Sequence, residues 1–118
     1  MTLVVAWLQA FVLTQLVECP IAAACFAGQE PRRSRRYALC FFASLATHPL
    51  VWFVFPELGF RYLATVELAE LWAWLTEAGF YWLVFPGARL ERVLLASLAA
   101  NAASLTLGFV VRAATGWL

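Results

Sequence analysis

The chain has 118 residues, 64% of them hydrophobic and 13% charged, and its formal net charge is +1. A soluble domain carries about 45–50% apolar and about 25% charged residues, so this composition cannot be covered by a water-facing surface. The small net charge gives no electrostatic footing for a nucleic-acid partner, and the chain is read as an integral membrane protein whose first partner is the lipid bilayer.

The first apolar segment runs from about residue 2 to residue 27. It is too long for a signal-peptide core, lacks a basic start, and contains Glu18 and Pro20, so it is read as a retained membrane span. The stretch GQEPRRSRR (28–36) follows and reads as a solvated loop at the membrane surface. The second span covers 37–55, and the turn PELGFR leads to a third over 62–85. PGARLER separates that from a fourth over 93–113. Each holds the roughly 20 residues that cross a hydrocarbon core of about 30 Å. Loops this short make neighbouring spans antiparallel. The expected fold is therefore all-α: residues 1–118 form one four-helix, up-down transmembrane bundle, with helices 1 and 2 kinked at Pro20 and Pro49.

The third span organises the others. It carries Glu67, Glu70 and Glu77, which fall within about 80° of each other on a helix, with Trp74 and Tyr81 on the same stripe. A carboxylate at the bilayer centre costs about 2.5–3.5 kcal/mol on insertion scales, so these acids must face protein or water. Glu18 on the first span, His48 on the second and Asn101 on the fourth lie within about one turn of the midplane, at the depth of Glu70 and Glu77. Glu67 is nearer the surface, within reach of Arg61 or water. Two members of this layer adjoin prolines, in Glu18-Cys19-Pro20 and His48-Pro49. Each proline leaves a carbonyl four residues back without its partner, at Leu16 and Leu45. Kinked spans beside acids are where transporters hold cations, and His48 is a candidate counter-ion for Glu70 or Glu18.

On the fourth span Ser97, Asn101, Ser104, Gly108 and Thr115 align within about 60°. Small and hydroxyl side chains allow close helix approach and hydrogen bonds across the contact, so Ser97, Ser104 and Gly108 are read as a packing seam. The three cysteines (Cys19, Cys25, Cys40) sit in apolar segments without CxxC spacing and read as small buried hydrophobes.

The inventory narrows the function. Without Asp there is no Ser-His-Asp triad, and there is no HExxH motif. The reading that fits best is proton- or cation-coupled transport or ion conduction, with Glu18, His48, Glu67, Glu70, Glu77 and Asn101 as proton- or cation-binding groups. An alternative is a non-catalytic subunit or assembly factor of a larger membrane complex, its polar layer bonding a partner helix or a pigment-like cofactor. The third is a metalloenzyme using Glu18, Glu70, Glu77 and His48 as ligands. The sequence names no metal or cofactor; homo-oligomers or other membrane subunits are the expected protein partners.

Arginine placement sets the orientation. Arg32, Arg33, Arg35, Arg36, Arg89 and Arg92 share one side, and Arg61 and Arg112 the other. Cytoplasmic loops collect positive charge, which puts both termini outside. Anchoring aromatics follow: Trp7, Trp52, Phe53, Phe60, Tyr62 and Trp117 towards the outer end, Tyr37, Tyr81 and Trp82 towards the inner, while Trp72 and Trp74 stay unexplained near mid-membrane. The Ala- and Arg-rich usage without Lys or Asp suggests a GC-rich bacterial genome and hence the inner, cytoplasmic membrane. In a background with Cys19, Cys25 and Cys40 replaced by alanine, an impermeant thiol reagent added to intact cells should label Glu57→Cys and spare Ser34→Cys. The reverse pattern would place both termini inside.

Overall fold

The computed structural model describes residues 2–116. Trp117, expected as an outer anchor, lies outside the described residues. Among these the chain is all-helical, with α1 Leu3–Cys25, α2 Arg33–Phe53, α3 Tyr62–Val84 and α4 Leu90–Thr115, and a 3₁₀ turn at Phe55–Leu58. Thr2 caps α1, its hydroxyl accepting the Val5 N–H at 3.2 Å. Both α1 and α2 continue through their internal prolines, Pro20 and Pro49.

Several boundaries differ from the sequence reading, each for a local reason. α2 starts at Arg33, so three of the expected loop arginines lie in its first turn, an unfavourable end for cations. Neighbours offset this. Glu30 pairs with Arg32 at 3.1 Å and Arg35 at 3.4 Å. Its carboxyl is held below the usual range by the Arg32 backbone N–H and then the Arg32 side chain. Arg36 turns back onto α1, donating to the Ala23 carbonyl at 3.4 Å, and Arg92 donates to the Cys25 carbonyl at 2.9 Å. The last carbonyls of α1 thus gain arginine donors from α2 and α4, the Ala23 carbonyl in addition to the Phe26 N–H at 3.2 Å. α2 ends at Phe53 because Pro56 has no N–H to offer the Trp52 carbonyl, the chain tightens into the 3₁₀ turn, and Gly59 (φ 81°) then reverses it. α4 starts earlier than expected, with Glu91 in its first turn, and stops at left-handed Gly116 (φ 68°).

Each helix packs against the next in sequence and α4 closes on α1, while the diagonal pairs stay apart. Hydrogen bonds run in opposite order along neighbours, as in Gln15–Ser44 against Ala23–Arg36, so adjacent helices are antiparallel. One end of this ring is solid. Phe26 stacks on Phe85 with ring centres 4.2 Å apart, and Tyr81 packs against both. Around them lie Cys19, Ala22, Cys40, Ala43, Val93 and Ala96, all buried. Tyr81 is therefore a core residue, 1% exposed, where the sequence suggested an interfacial anchor. The alanines let the four backbones close here.

The bundle is inside out by the standards of a water-soluble protein. Glu18, Ser44, Thr47, Glu77, Ser97 and Asn101 are buried, whereas Leu16, Leu63, Leu83 and Leu95 are exposed. α1, α2 with its 3₁₀ extension, and α4 are each long and apolar enough to cross a membrane. α3 matches α1 in length at 23 residues and owes its lower apolarity to its glutamates.

Trp74, unplaced by the sequence reading, fastens α3 to α4. Its indole Nε1–H donates to the Leu94 carbonyl at 2.8 Å, and the Ser97 hydroxyl donates to the Trp74 carbonyl at 2.8 Å. Trp74→Phe keeps the ring and loses the donor, which should lower stability by about 1 kcal/mol. Chemical unfolding in micelles reads this directly; a variant as stable as the parent would mean the indole bond contributes nothing.

Candidate functional site: a one-ended acidic cavity

Above the aromatic plug the ring opens around a cavity of about 690 Å³. Its floor is polar and draws on all four helices: Glu18 from α1, Ser44 and Thr47 from α2, Glu77 from α3, Asn101 and Ser104 from α4. Its mouth, at the end of the bundle where α1 begins and α4 ends, includes Leu3, Phe60, Tyr62 and Arg112. One turn below the floor lie Ala22, Ala43, Tyr81 and the rest of the plug.

The floor bonds are specific. Ser104 donates to Glu18 Oε1 at 2.6 Å, joining α4 to α1. Thr47 donates to Glu77 Oε2 at 3.2 Å, joining α2 to α3, and Gln15 Nε2 donates to Ser44 Oγ at 2.7 Å, joining α1 to α2. Asn101 is held by its own helix, its Nδ2 donating to the Ser97 carbonyl at 2.9 Å. The Glu18 and Glu77 carboxyl groups face each other across the bundle axis. Glu77 Oε1 is buried and has no hydrogen-bond partner.

Glu70 is half-buried on the cavity wall, about two turns nearer the mouth than Glu77. Glu67 is exposed and lies outside this cavity, beside Arg61 and Tyr62 on the surface. The carboxylate stripe expected on α3 thus splits, with Glu70 and Glu77 turned inward and Glu67 outward. His48 reaches the cavity but not the acids. Its Nε2 lies 3.3 Å from Thr14 Oγ1, and its ring packs edge-on to Phe11 and beside Trp52. The expected His48–glutamate pair is replaced by a His48–Thr14 pair, because the ring is drawn to the aromatic face of α1. Among the described residues the ion pairs are those of Glu30, so none of the cavity acids has a cationic side chain as partner.

The seam on α4 also divides. Ser97 and Ser104 bond neighbouring helices, but Gly108 is exposed on the cavity, and a Cβ there would meet nothing within 4 Å. Gly108 is therefore no point of close helix approach, contrary to the sequence reading. The carboxylate-rich metal site is not assembled either: among the described residues no three His, Cys, Asp or Glu side chains come together to hold a metal ion.

The chain matches no family model, no curated protein and no solved structure. Its chemistry rests on this geometry. Sequence reasoning missed Thr14, Gln15, Ser44 and Thr47, the second tier that orients the acids and the histidine. Their spacing held the signal: Gln15 precedes Glu18 by three positions and Ser44 precedes His48 by four, so each shares a helix face with a singled-out residue. Arg112, used only to set orientation, caps the mouth. It donates to the Tyr62 hydroxyl and holds its guanidinium over the Tyr62 ring, 4.9 Å from the centre.

Open space at Gly108 yields a simple expectation. Gly108→Ala should raise stability by about 0.5–1 kcal/mol, the usual gain from replacing glycine inside a helix where nothing clashes. Thermal unfolding in detergent checks it, and a destabilised variant would indicate a close neighbour at that position.

Proposed function

We propose that the chain is a four-span protein of the bacterial inner membrane, both termini outside, that works as a proton- or cation-coupled transporter. It sits in the lipid bilayer beside further copies of itself or other membrane subunits. The observation that carries the reading is the pair of facing, buried carboxyl groups of Glu18 and Glu77 at the floor of an open cavity, without a cationic partner. Two such groups from opposite helices hold a proton or cation between them and release it when a competitor enters. Glu70 on the wall supplies an intermediate stop between mouth and floor, and Asn101, Ser104 and Thr47 orient the pair.

The plug favours a transporter over an open channel. A path that ends on Phe26, Tyr81 and Phe85 conducts nothing until those rings part. Pro20 lies between Glu18 and Phe26 on the chain, at the boundary between site and plug, and weakens α1 there by removing one hydrogen bond. The end of α1 beyond it is held by Arg36 and Arg92 through two carbonyls. Movement of that short end would carry Phe26 away from Phe85 and expose the acids to the other side, the alternation that a coupled transporter requires.

The test pairs stability with flux. Glu70→Gln and Glu77→Gln remove a carboxyl from an apolar setting, so folding should hold or improve. An amide cannot bind and release a proton near neutral pH, so proton- or cation-driven flux in liposomes should fall at least tenfold. Glu→Leu variants at the same positions provide the contrast. If both Gln variants keep full flux while the Leu variants unfold, the acids serve as structural hydrogen bonders, and a non-catalytic subunit becomes the better reading.

A further inference from the structure

Resting on that reading of the cavity, we propose that its solute is a primary organic ammonium with an apolar body, the ammonium between Glu77 and Glu18 at the floor and the body against the upper walls. Size is the first argument. A cavity of about 690 Å³ lies in the range of about 300–1,000 Å³ typical of pockets for small organic ligands. A bare inorganic cation needs little more room than a water molecule, whose share of liquid volume is about 30 Å³.

The distribution of polarity is the second. The facing carboxyl groups lie at the floor, while Leu13, Val51, Ala69, Leu105 and Phe109 make much of the wall above it apolar, interrupted by Thr14, His48 and Glu70. An inorganic ion would need oxygens along its whole route to replace its water shell. An amphiphile needs them at one end only.

The third argument concerns the kind of cation. Glu77 Oε1 is an acceptor without a donor, while Glu77 Oε2 is already taken by Thr47. A guanidinium binds best with both oxygens of one carboxylate free, which this arrangement denies it. An ammonium donates through separate N–H groups and can divide them between Glu77 Oε1 and a second carboxyl. A quaternary ammonium has no N–H and would leave that oxygen as it is. Neither basic side chain at the cavity reaches it: Arg112 is engaged with Tyr62 at the mouth, and His48 is turned to Thr14. An ethanolamine lipid carries its ammonium beside a phosphate, which an acidic floor repels, so a free amine is the better occupant.

The experiment uses the intact protein in phosphatidylcholine nanodiscs, which contain no primary amine. Calorimetric titrations with 4-phenylbutylamine, 4-phenylbutanol and the trimethylammonium analogue compare one body with three heads. The amine should bind saturably and at least tenfold tighter than the other two, and Glu77→Gln and Glu18→Gln should each erase most of that difference. Equal affinity for amine and alcohol in the parent protein would overturn the proposal without recourse to any variant, and so would absence of amine binding. Liposome flux of protons and sodium then separates the two levels. Flux without amine binding sinks the solute assignment and leaves cation coupling standing; neither flux nor binding sinks both.

Discussion

Everything in this molecule depends on where it can put a polar atom. Inside hydrocarbon there is no water to complete a carboxyl, amide or hydroxyl group, so each must be completed within the bundle. The four helices meet that constraint at one level. Ser104 and Glu18 join α4 to α1, and Thr47 and Glu77 join α2 to α3. Gln15 and Ser44 join α1 to α2, and Ser97 with Trp74 joins α4 to α3. Every adjacent helix pair in the ring is thus joined by at least one side-chain hydrogen bond. A rotation of any helix large enough to point its polar face at lipid would strand partners on two others. This fixes the rotational setting of each helix in a way that apolar contacts between alanines and leucines could not, since lipid tails are as apolar as leucine.

The two ends of the bundle solve different problems. At the plugged end small residues bring the backbones together, and the aromatic stack of Phe26 and Phe85 fills what remains. The arginines there do more than mark orientation. Arg36 and Arg92 complete carbonyls that α1 exposes when it stops at Cys25, so surface charge doubles as helix capping. At the other end no such closure forms, and Tyr62 and Arg112 stand at an open rim. Asymmetry between the ends makes the interior a vestibule and not a pore.

Much of the fold was legible in the sequence. Four long apolar stretches separated by short charged or proline-bearing loops leave few alternatives, and acids inside such stretches must turn inward, which places Glu18, Glu77 and Asn101. Legibility stops where the answer depends on rotation of a neighbouring helix. Glu67 and Glu70 are close on a helical wheel, yet one meets the surface and the other the cavity, because the contacts of α3 with α2 and α4 set a boundary between them. His48 could have faced any partner at its depth, and the aromatic rings of α1 decided for Thr14. Gly108 and Ser104 lie one turn apart and share a face, but the helices diverge between them, so the same small-residue pattern reads as contact at one and as open space at the other. The start of α2 was misplaced because the nearby Glu30 and the distant α1 carbonyls compensate arginines in a first turn.

A purely adhesive role accounts for most of the polar layer but not for all of it. Ser104 satisfies Glu18, Ser97 satisfies Asn101, and Gln15 satisfies Ser44; such pairs stabilise a bundle and need no further purpose. Glu77 is different. A glutamine in its place would accept the Thr47 hydroxyl equally well without the cost of an acid inside the bundle. Nor would adhesion set that oxygen against a second carboxyl, from Glu18, with no cationic side chain paired to either. Local departures of this kind concentrate where a protein does something other than fold. Here the departure lies at the floor of the cavity that all four helices line, at the depth where the aromatic plug begins.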